Sequence, residues 1–114
     1  MIKKISAAVI IVVALTACGN KELYSWYDYE EESYEYSKTL TEKSRKKLIK
    51  QYEKMIDKQS ETRGVVPPGL YAEYGYLLYK LNQQEDGIGY LRKEIALYPE
   101  SETYISRIIK QLEQ

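Results

Sequence analysis

Cys18 is the only cysteine of the chain and stands directly behind Leu15-Thr16-Ala17. A thiolate is the best nucleophile among the side chains for capturing a lipid. With a single cysteine, no internal disulfide can form. The segment before Cys18 has a charged start, Lys3-Lys4, and an apolar middle from Ile5 to Leu15. That is the layout of a secretory signal peptide, and its apolar run is about half the ~20 residues that a membrane-spanning helix needs. The chain has no histidine. Ser-His-Asp and Cys-His catalysis are therefore excluded, and so are His-based metal sites. The remaining candidates for chemistry are carboxylates: Asp28, Glu30, Glu31, Glu32 and Glu35. Paired carboxylates hydrolyse glycosides when held ~5 to 9 Å apart in a cleft, whereas consecutive glutamates on a helix point apart and stay solvated. Gly87-Ile88-Gly89 has no strand before it and is no phosphate loop. The expectation is a protein that is not an enzyme, with no catalytic residues, metal, cofactor or small-molecule substrate.

Leu15-Thr16-Ala17-Cys18 resembles the lipobox of bacterial lipoproteins. The resemblance implies cleavage between Ala17 and Cys18, a diacylglycerol on the Cys18 sulfur, and acylation of the new amino group. Residues 1–17 are then a signal peptide, 18–25 a lipidated tether, and 26–114 the folded domain. Two or more acyl chains anchor stably where one does not. Gly19, not an aspartate, follows Cys18, which favours an outer-membrane, periplasm-facing position over the inner membrane. The partner on that side is the lipid bilayer.

Cys18 to Gln114 is enough chain for one small domain. The sequence balances 17 basic against 17 acidic residues, and losing Lys3 and Lys4 leaves a slight acidic excess. Nucleic acid is not an expected partner, since phosphate-binding domains carry a basic surplus. The chain has 13 tyrosines and no phenylalanine. Each tyrosine carries apolar area plus a hydroxyl that wants a partner or water, so the core should be shallow, with ring edges at the surface.

The elements that must position these groups read as helices, and no segment alternates with period two. A Tyr/Glu-rich helix is expected over Trp26–Lys38, with two competing stripes. One is Leu23, Tyr27 and Tyr34; the other is Trp26, Tyr29, Ser33 and Tyr36. Thr39-Leu40-Thr41-Glu42 matches a capping box with Thr39 at the N-cap. It opens a helix to about Gln59 that buries Leu48, Tyr52, Met55 and Ile56. Ser60–Pro68 breaks the pattern, and Pro68 suits the first turn of the next helix. That helix, Gly69–Leu81, should bury Tyr71, Tyr74, Gly75 and Leu78. Gln84–Leu97 should bury Ile88, Leu91 and Ile95. After Pro99, Ser101 caps a last helix to about Gln114, with Tyr104 or Ile105, Ile108, Ile109 and Leu112 inward.

Pro68–Ser101 has the length of a tetratricopeptide repeat and resembles its consensus. Tyr71, Tyr74, Gly75, Leu78, Gly87, Leu91 and Leu97-x-Pro99 fall on its marked positions, while Glu94 stands where a small alanine is usual. The resemblance implies an all-α array of about five helices, because one helix hairpin cannot bury its own apolar face. It also implies a concave, partner-binding face that holds Ala72, Tyr76, Tyr79 and Lys80, then Thr103, Ser106 and Lys110. Tyr76 and Tyr79 are its candidate anchors; covering the N-terminal hairpin is the plain alternative. Gly75 should lie where two helices touch. Tyr24, Trp26, Tyr27 and Tyr29, close behind Cys18, fit packing of the first helix, a partner surface, or the membrane interface, where Trp and Tyr are enriched.

Pro67-Pro68-Gly69-Leu70-Tyr71-Ala72-Glu73-Tyr74-Gly75-Tyr76-Leu77-Leu78 resembles the hallmark of a bacterial lipoprotein family known as domain of unknown function 4810. Trp26-x-x-Tyr29-Glu30 is similar to that family's N-terminal motif. Lys93-Glu94 with Tyr98-Pro99-Glu100-Ser101 is similar to its Lys-Glu and Trp-Pro-Glu-Ser stretch, with Tyr98 in place of tryptophan. The resemblance implies an envelope lipoprotein often encoded beside a CsgG-like pore-forming lipoprotein, and it supplies no catalytic residue. The expected function is a tethered, non-catalytic adaptor for an envelope protein; the family resemblance implies a CsgG-like one. A structural envelope lipoprotein and an accessory subunit of a cell-wall glycan enzyme are the alternatives.

Overall fold

The computed structural model describes residues 22–114. The expected signal segment, Cys18 and the start of the tether lie outside the described residues. The protein is all-α. Its helices are α1 (Tyr29–Thr39), α2 (Glu42–Asp57), α3 (Leu70–Lys80), α4 (Gln84–Leu97) and α5 (Glu102–Leu112), with a short 3-10 turn at Pro99–Ser101 before α5. There is no strand among the described residues.

α1 starts three residues later than expected. Tyr27 takes a left-handed φ of 49°, and the Tyr29 amide donates to the Trp26 carbonyl at 3.0 Å. A tight turn therefore occupies Trp26–Tyr29, where periodicity suggested helix. Glu30, Glu31 and Glu32 fill the first turn of α1 and Lys38 the last, as the helix dipole favours. Of the second stripe, Tyr29 and Tyr36 pack on the core, while Trp26 is exposed, as is Tyr34 of the first.

The cap of α2 is Thr41, not Thr39. The Thr41 hydroxyl accepts from the Ser44 amide at 3.1 Å, and the Ser44 hydroxyl accepts from the Thr41 amide at 3.2 Å. This is a capping box closed by serine. Glu42 instead pairs with Lys46 on the surface. Leu48, Tyr52 and Met55 are buried as expected, and Ile56 is half-buried at the edge of the same cluster.

α3 starts after Gly69, whose φ of 92° is costly for any residue with a Cβ. Pro68 therefore sits in the turn before the helix and not in its first turn. Leu70, not Tyr71, fills the first core position, beside Tyr74, Gly75 and Leu78. In α4 the buried residues are Gly87, Leu91 and Glu94, while Ile88 and Ile95 lie half-buried against the α4–α5 cluster. Ser101 precedes α5 without a side-chain cap bond, since its hydroxyl donates to the Tyr98 carbonyl. Ile105 and Ile109 are the buried residues of α5, and Tyr104 points outward.

Seven aromatic rings run through the body in contact. Tyr24 meets Trp26, Trp26 meets Tyr29, and Tyr29 meets Tyr52, with ring centroids 6.3, 5.6 and 5.8 Å apart. Tyr52 stacks on Tyr74 at 5.1 Å, Tyr74 meets Tyr90 at 4.8 Å, and Tyr90 stacks on Tyr71 at 5.9 Å. The ladder joins the N-terminal turn and α1 to α2, α3 and α4, and each such pair adds about 0.5–1.5 kcal/mol beyond area burial. Burial first, then the Glu73 carboxylate that accepts its proton, pushes Tyr29 from 10.0 up to about 12. The same two causes push Tyr52 up further still. Burial, aided by Glu53, brings Tyr74 to about 12.

These shifts tie stability to alkaline pH. A group whose pKa rises on folding contributes stability that is complete below its unfolded value and is lost as pH climbs through the folded one. Stability should therefore hold to about pH 10 and fall steeply between 10 and 12. Helix circular dichroism and tyrosinate absorbance, followed together, should show these tyrosines ionising in one step with unfolding. Ionisation that runs ahead of unfolding would show that the ladder is not packed this way.

Candidate protein-docking groove

α3 and α4 form an antiparallel hairpin whose backbones nearly touch. A Cβ on Gly75 would lie 2.6 Å from the Gly87 carbonyl oxygen, and one on Gly87 would lie 2.5 Å from that of Gly75. This close crossing fixes α3 on α4, and α5 then packs across α4 through Leu91, Ile105 and Ile109. Between α3 and α5 an open groove of about 430 Å³ remains, lined by Ala72, Glu73, Tyr76, Tyr104, Ile108, Gln111 and Leu112.

The N-terminal end of α3 is held by a side chain from α4. Gly69 offers no side-chain cap. The Glu94 carboxylate, only 2% exposed, accepts from the Gly69 amide at its Oε2 and from the Ala72 amide at its Oε1, each at 3.1 Å. It does from a distance what an N-cap aspartate or serine does locally. Tyr98 reinforces the same corner by donating its hydroxyl to the Val66 carbonyl at 2.6 Å.

Glu73, one turn along, is claimed by the N-terminal half. Tyr29 donates to both its oxygens, at 2.7 and 2.8 Å, and Tyr52 donates to Oε1 at 2.7 Å. At the far end, the Tyr79 hydroxyl donates to the Leu112 carbonyl and ties the end of α5 to α3.

The sequence-expected binding residues divide in this arrangement. Ala72 and Tyr76 line the groove, and Tyr76 is 45% exposed. Lys80 places its ammonium 5.4 Å from the Tyr76 ring centroid. Tyr79 faces away from the groove, into the hollow beside Ile88 and Arg92, and its hydroxyl is committed to α5. Thr103, Ser106 and Lys110 are exposed on α5 but do not line the groove. Tyr104, Ile108 and Gln111 of α5 do. Tyr104 is 69% exposed, so the groove carries an exposed ring from each of its two helices, beside Ile108 and Leu112.

The carboxylates singled out from the sequence sit elsewhere. Asp28, just before α1, and Glu30 and Glu31 in its first turn border an open depression of about 420 Å³ beside Tyr27 and Tyr34, and all three are exposed. No group of three metal-ligating residues occurs among the described residues.

A helix hairpin closed by glycine contact, capped from the second helix and followed by one more helix, with an aromatic-walled groove along its first helix, defines a small all-α helical-hairpin protein. The chain belongs to the family called domain of unknown function 4810 (DUF4810), which it matches over residues 23–108. No curated protein and no solved structure matches it.

Membership gains a physical meaning from the geometry. The three stretches that resemble the family pattern meet at the start of α3. Tyr29 of the N-terminal motif reaches Glu73, Glu94 caps Gly69 and Ala72, and Tyr98 bonds Val66. Each of these bonds ties another part of the chain to α3 or to the segment just before it, and so holds α3 in place.

Proposed function

We propose that the protein is a lipid-anchored, non-catalytic adaptor of the bacterial envelope that holds a segment of another envelope protein in the α3–α5 groove. The observation that carries this reading is the pair of exposed rings, Tyr76 on α3 and Tyr104 on α5, that line one groove together with Ile108 and Leu112. Tyrosine is enriched at binding hot spots because one ring brings large contact area and a hydroxyl at small entropic cost. The tetratricopeptide-like reading of residues 68–101 draws support from the glycine contact between α3 and α4 and from the groove lying along the first helix of the hairpin.

Acylation of Cys18 and an outer-membrane, periplasm-facing position rest on the lipobox resemblance. A CsgG-like partner rests on the family resemblance. The glycan-enzyme alternative needs a cleft with paired carboxylates, one of them desolvated enough to hold its proton; Glu30 and Glu31 are exposed on α1.

Crosslinking in intact cells, purification through a C-terminal tag and mass spectrometry test the adaptor reading. One envelope protein should be recovered with the wild type and lost with both Cys18→Ser and Tyr76→Ala. Truncating a hot-spot ring costs about 2 kcal/mol of affinity, roughly thirtyfold. The melting temperature of Tyr76→Ala should stay near wild type, because the ring is not in the core. Undiminished recovery with Tyr76→Ala, Tyr104→Ala and their double substitution would overturn the groove as the binding face.

A further inference from the structure

We propose that the N-terminal turn is a membrane-docking face: Leu23, Trp26 and Tyr27 rest in the headgroup region of the bilayer that holds the acylated Cys18. The proposal rests on acylation of Cys18, part of the function proposed above.

The length of chain between anchor and body comes first. Residues 22–25 are pinned to the body. The Ser25 amide donates to the Gln59 side chain at 2.9 Å, and the Gln59 amide group donates back to the Ser25 carbonyl at 2.9 Å. The Ser60 amide donates to the Ser25 hydroxyl at 3.0 Å. The Arg63 amide donates to the Leu23 carbonyl at 3.0 Å. Only the bonds from Cys18 to Glu22 are left to span the gap. At ~3.3–3.6 Å per residue they reach at most about 14 Å, about the depth of two headgroup layers. A body held so closely must present this side to the lipid.

What that side carries suits an interface. Leu23 is 50% and Trp26 43% exposed, although Trp26 also contacts Tyr24 and Tyr29. The left-handed φ of Tyr27 is a conformation a bulky side chain takes only at some cost, and it makes the turn that leaves the Trp26 ring outward. Trp and Tyr settle at headgroup depth because their rings are apolar and their N–H and O–H groups are polar.

The charges around the turn match a zwitterionic headgroup. The Lys54 ammonium lies 4.4 Å from the Tyr27 ring centroid, and the Tyr27 hydroxyl donates to the Lys58 carbonyl. Lys54 suits a lipid phosphate. Glu22 and Glu30 border the hollow of about 490 Å³ at Trp26 and suit lipid ammonium groups. The face thus fits phosphatidylethanolamine, with phosphate and amine both matched.

Trp26 is the only tryptophan, so it reports the contact itself. The full chain, produced in a bacterial host, is purified in its acylated form and reconstituted into vesicles of phosphatidylethanolamine and phosphatidylglycerol. A parallel preparation includes lipids bearing a nitroxide near the headgroup. Trp26 emission should shift to the blue, lose most of its intensity to the nitroxide and become shielded from iodide. Leu23→Glu keeps the main-chain bond to Arg63 and should restore iodide access without changing the acyl mass. An acylated, vesicle-bound protein whose Trp26 escapes the nitroxide and stays open to iodide overturns the docking and leaves the anchor standing. A chain of unmodified mass overturns the anchor and, with it, the docking.

Discussion

Placing one methyl group on Gly87 should lower stability by about 2 kcal/mol, even though alanine is the better helix former by about 1 kcal/mol. The new carbon would lie 2.5 Å from the Gly75 carbonyl oxygen and 2.8 Å from the Tyr79 backbone nitrogen. Both are main-chain atoms of α3, so relief requires the helices to part along their length. For a domain of this size the loss corresponds to a melting temperature lower by roughly 10 °C. Gly75→Leu should be at least as damaging, since its Cβ would meet the Gly87 carbonyl oxygen at 2.6 Å and the Tyr90 Cβ at 3.0 Å. Gly89 supplies the control. It lies in the same helix, and a Cβ there meets nothing within 4 Å, so Gly89→Ala should stabilise by about 0.5–1 kcal/mol. Thermal melts of the three variants would decide the matter; a Gly87→Ala protein melting with the wild type would show that the helices do not cross there.

Removing the carboxylate of Glu94 should cost about 3 kcal/mol. The amides of Gly69 and Ala72 would lose the acceptor that receives both. A hydrogen bond to a charged group contributes about 1.5–3 kcal/mol. Glu94→Ala therefore uncaps α3 and leaves a void beside it. Glu94→Gln should fall between this variant and the wild type, because its amide keeps one acceptor oxygen but turns a donor toward the second N–H. Tyr98→Phe, which frees the Val66 carbonyl, should cost only about 1 kcal/mol. Urea denaturation would rank the three, and amide exchange at Ala72 would localise the effect. If Glu94→Ala unfolds at the wild-type urea concentration, the cap contributes nothing.

Glu94 also shows where sequence reading stops. Against the repeat consensus it is an anomaly, a long acidic residue at a position for a small one, and only the family resemblance makes it ordinary. Its purpose is invisible locally because the donors it satisfies lie on another helix, more than twenty residues back. Helix number, the α3–α4 glycine contact and most core positions were legible because period 3.6 and turn residues are local signals. The start of α1 was not, because the left-handed turn at Tyr27 is held by distant contacts to Lys58 and Lys54. The α2 cap slipped by two residues because Thr39 and Thr41 both precede a residue able to close a box. In the groove, Ala72 and Tyr76 were in reach of the repeat register. Tyr104, Ile108 and Gln111 were missed because the rotation of α5 about its axis is set by its packing on α4 through Ile105 and Ile109 and not by the repeat register carried down from α3. The apolar character of Ile108 beside polar Ser106 was the available clue.

The cap from Glu94 has a consequence for the order in which the chain takes shape. On a ribosome the residues of α3 emerge well before Glu94 does. Until then the Leu70 amide has the Pro67 carbonyl, but the Gly69 and Ala72 amides lack their acceptor, and a short helix without such support is marginal in water. A nascent chain halted after Lys80 would carry α1, α2 and the residues of α3 that pack on α2, Leu70, Tyr74 and Leu78, but neither the cap nor the glycine contact that fix α3 from the other side. Arrival of α4 supplies the cap and the glycine contact together, so the hairpin closes as one event late in synthesis.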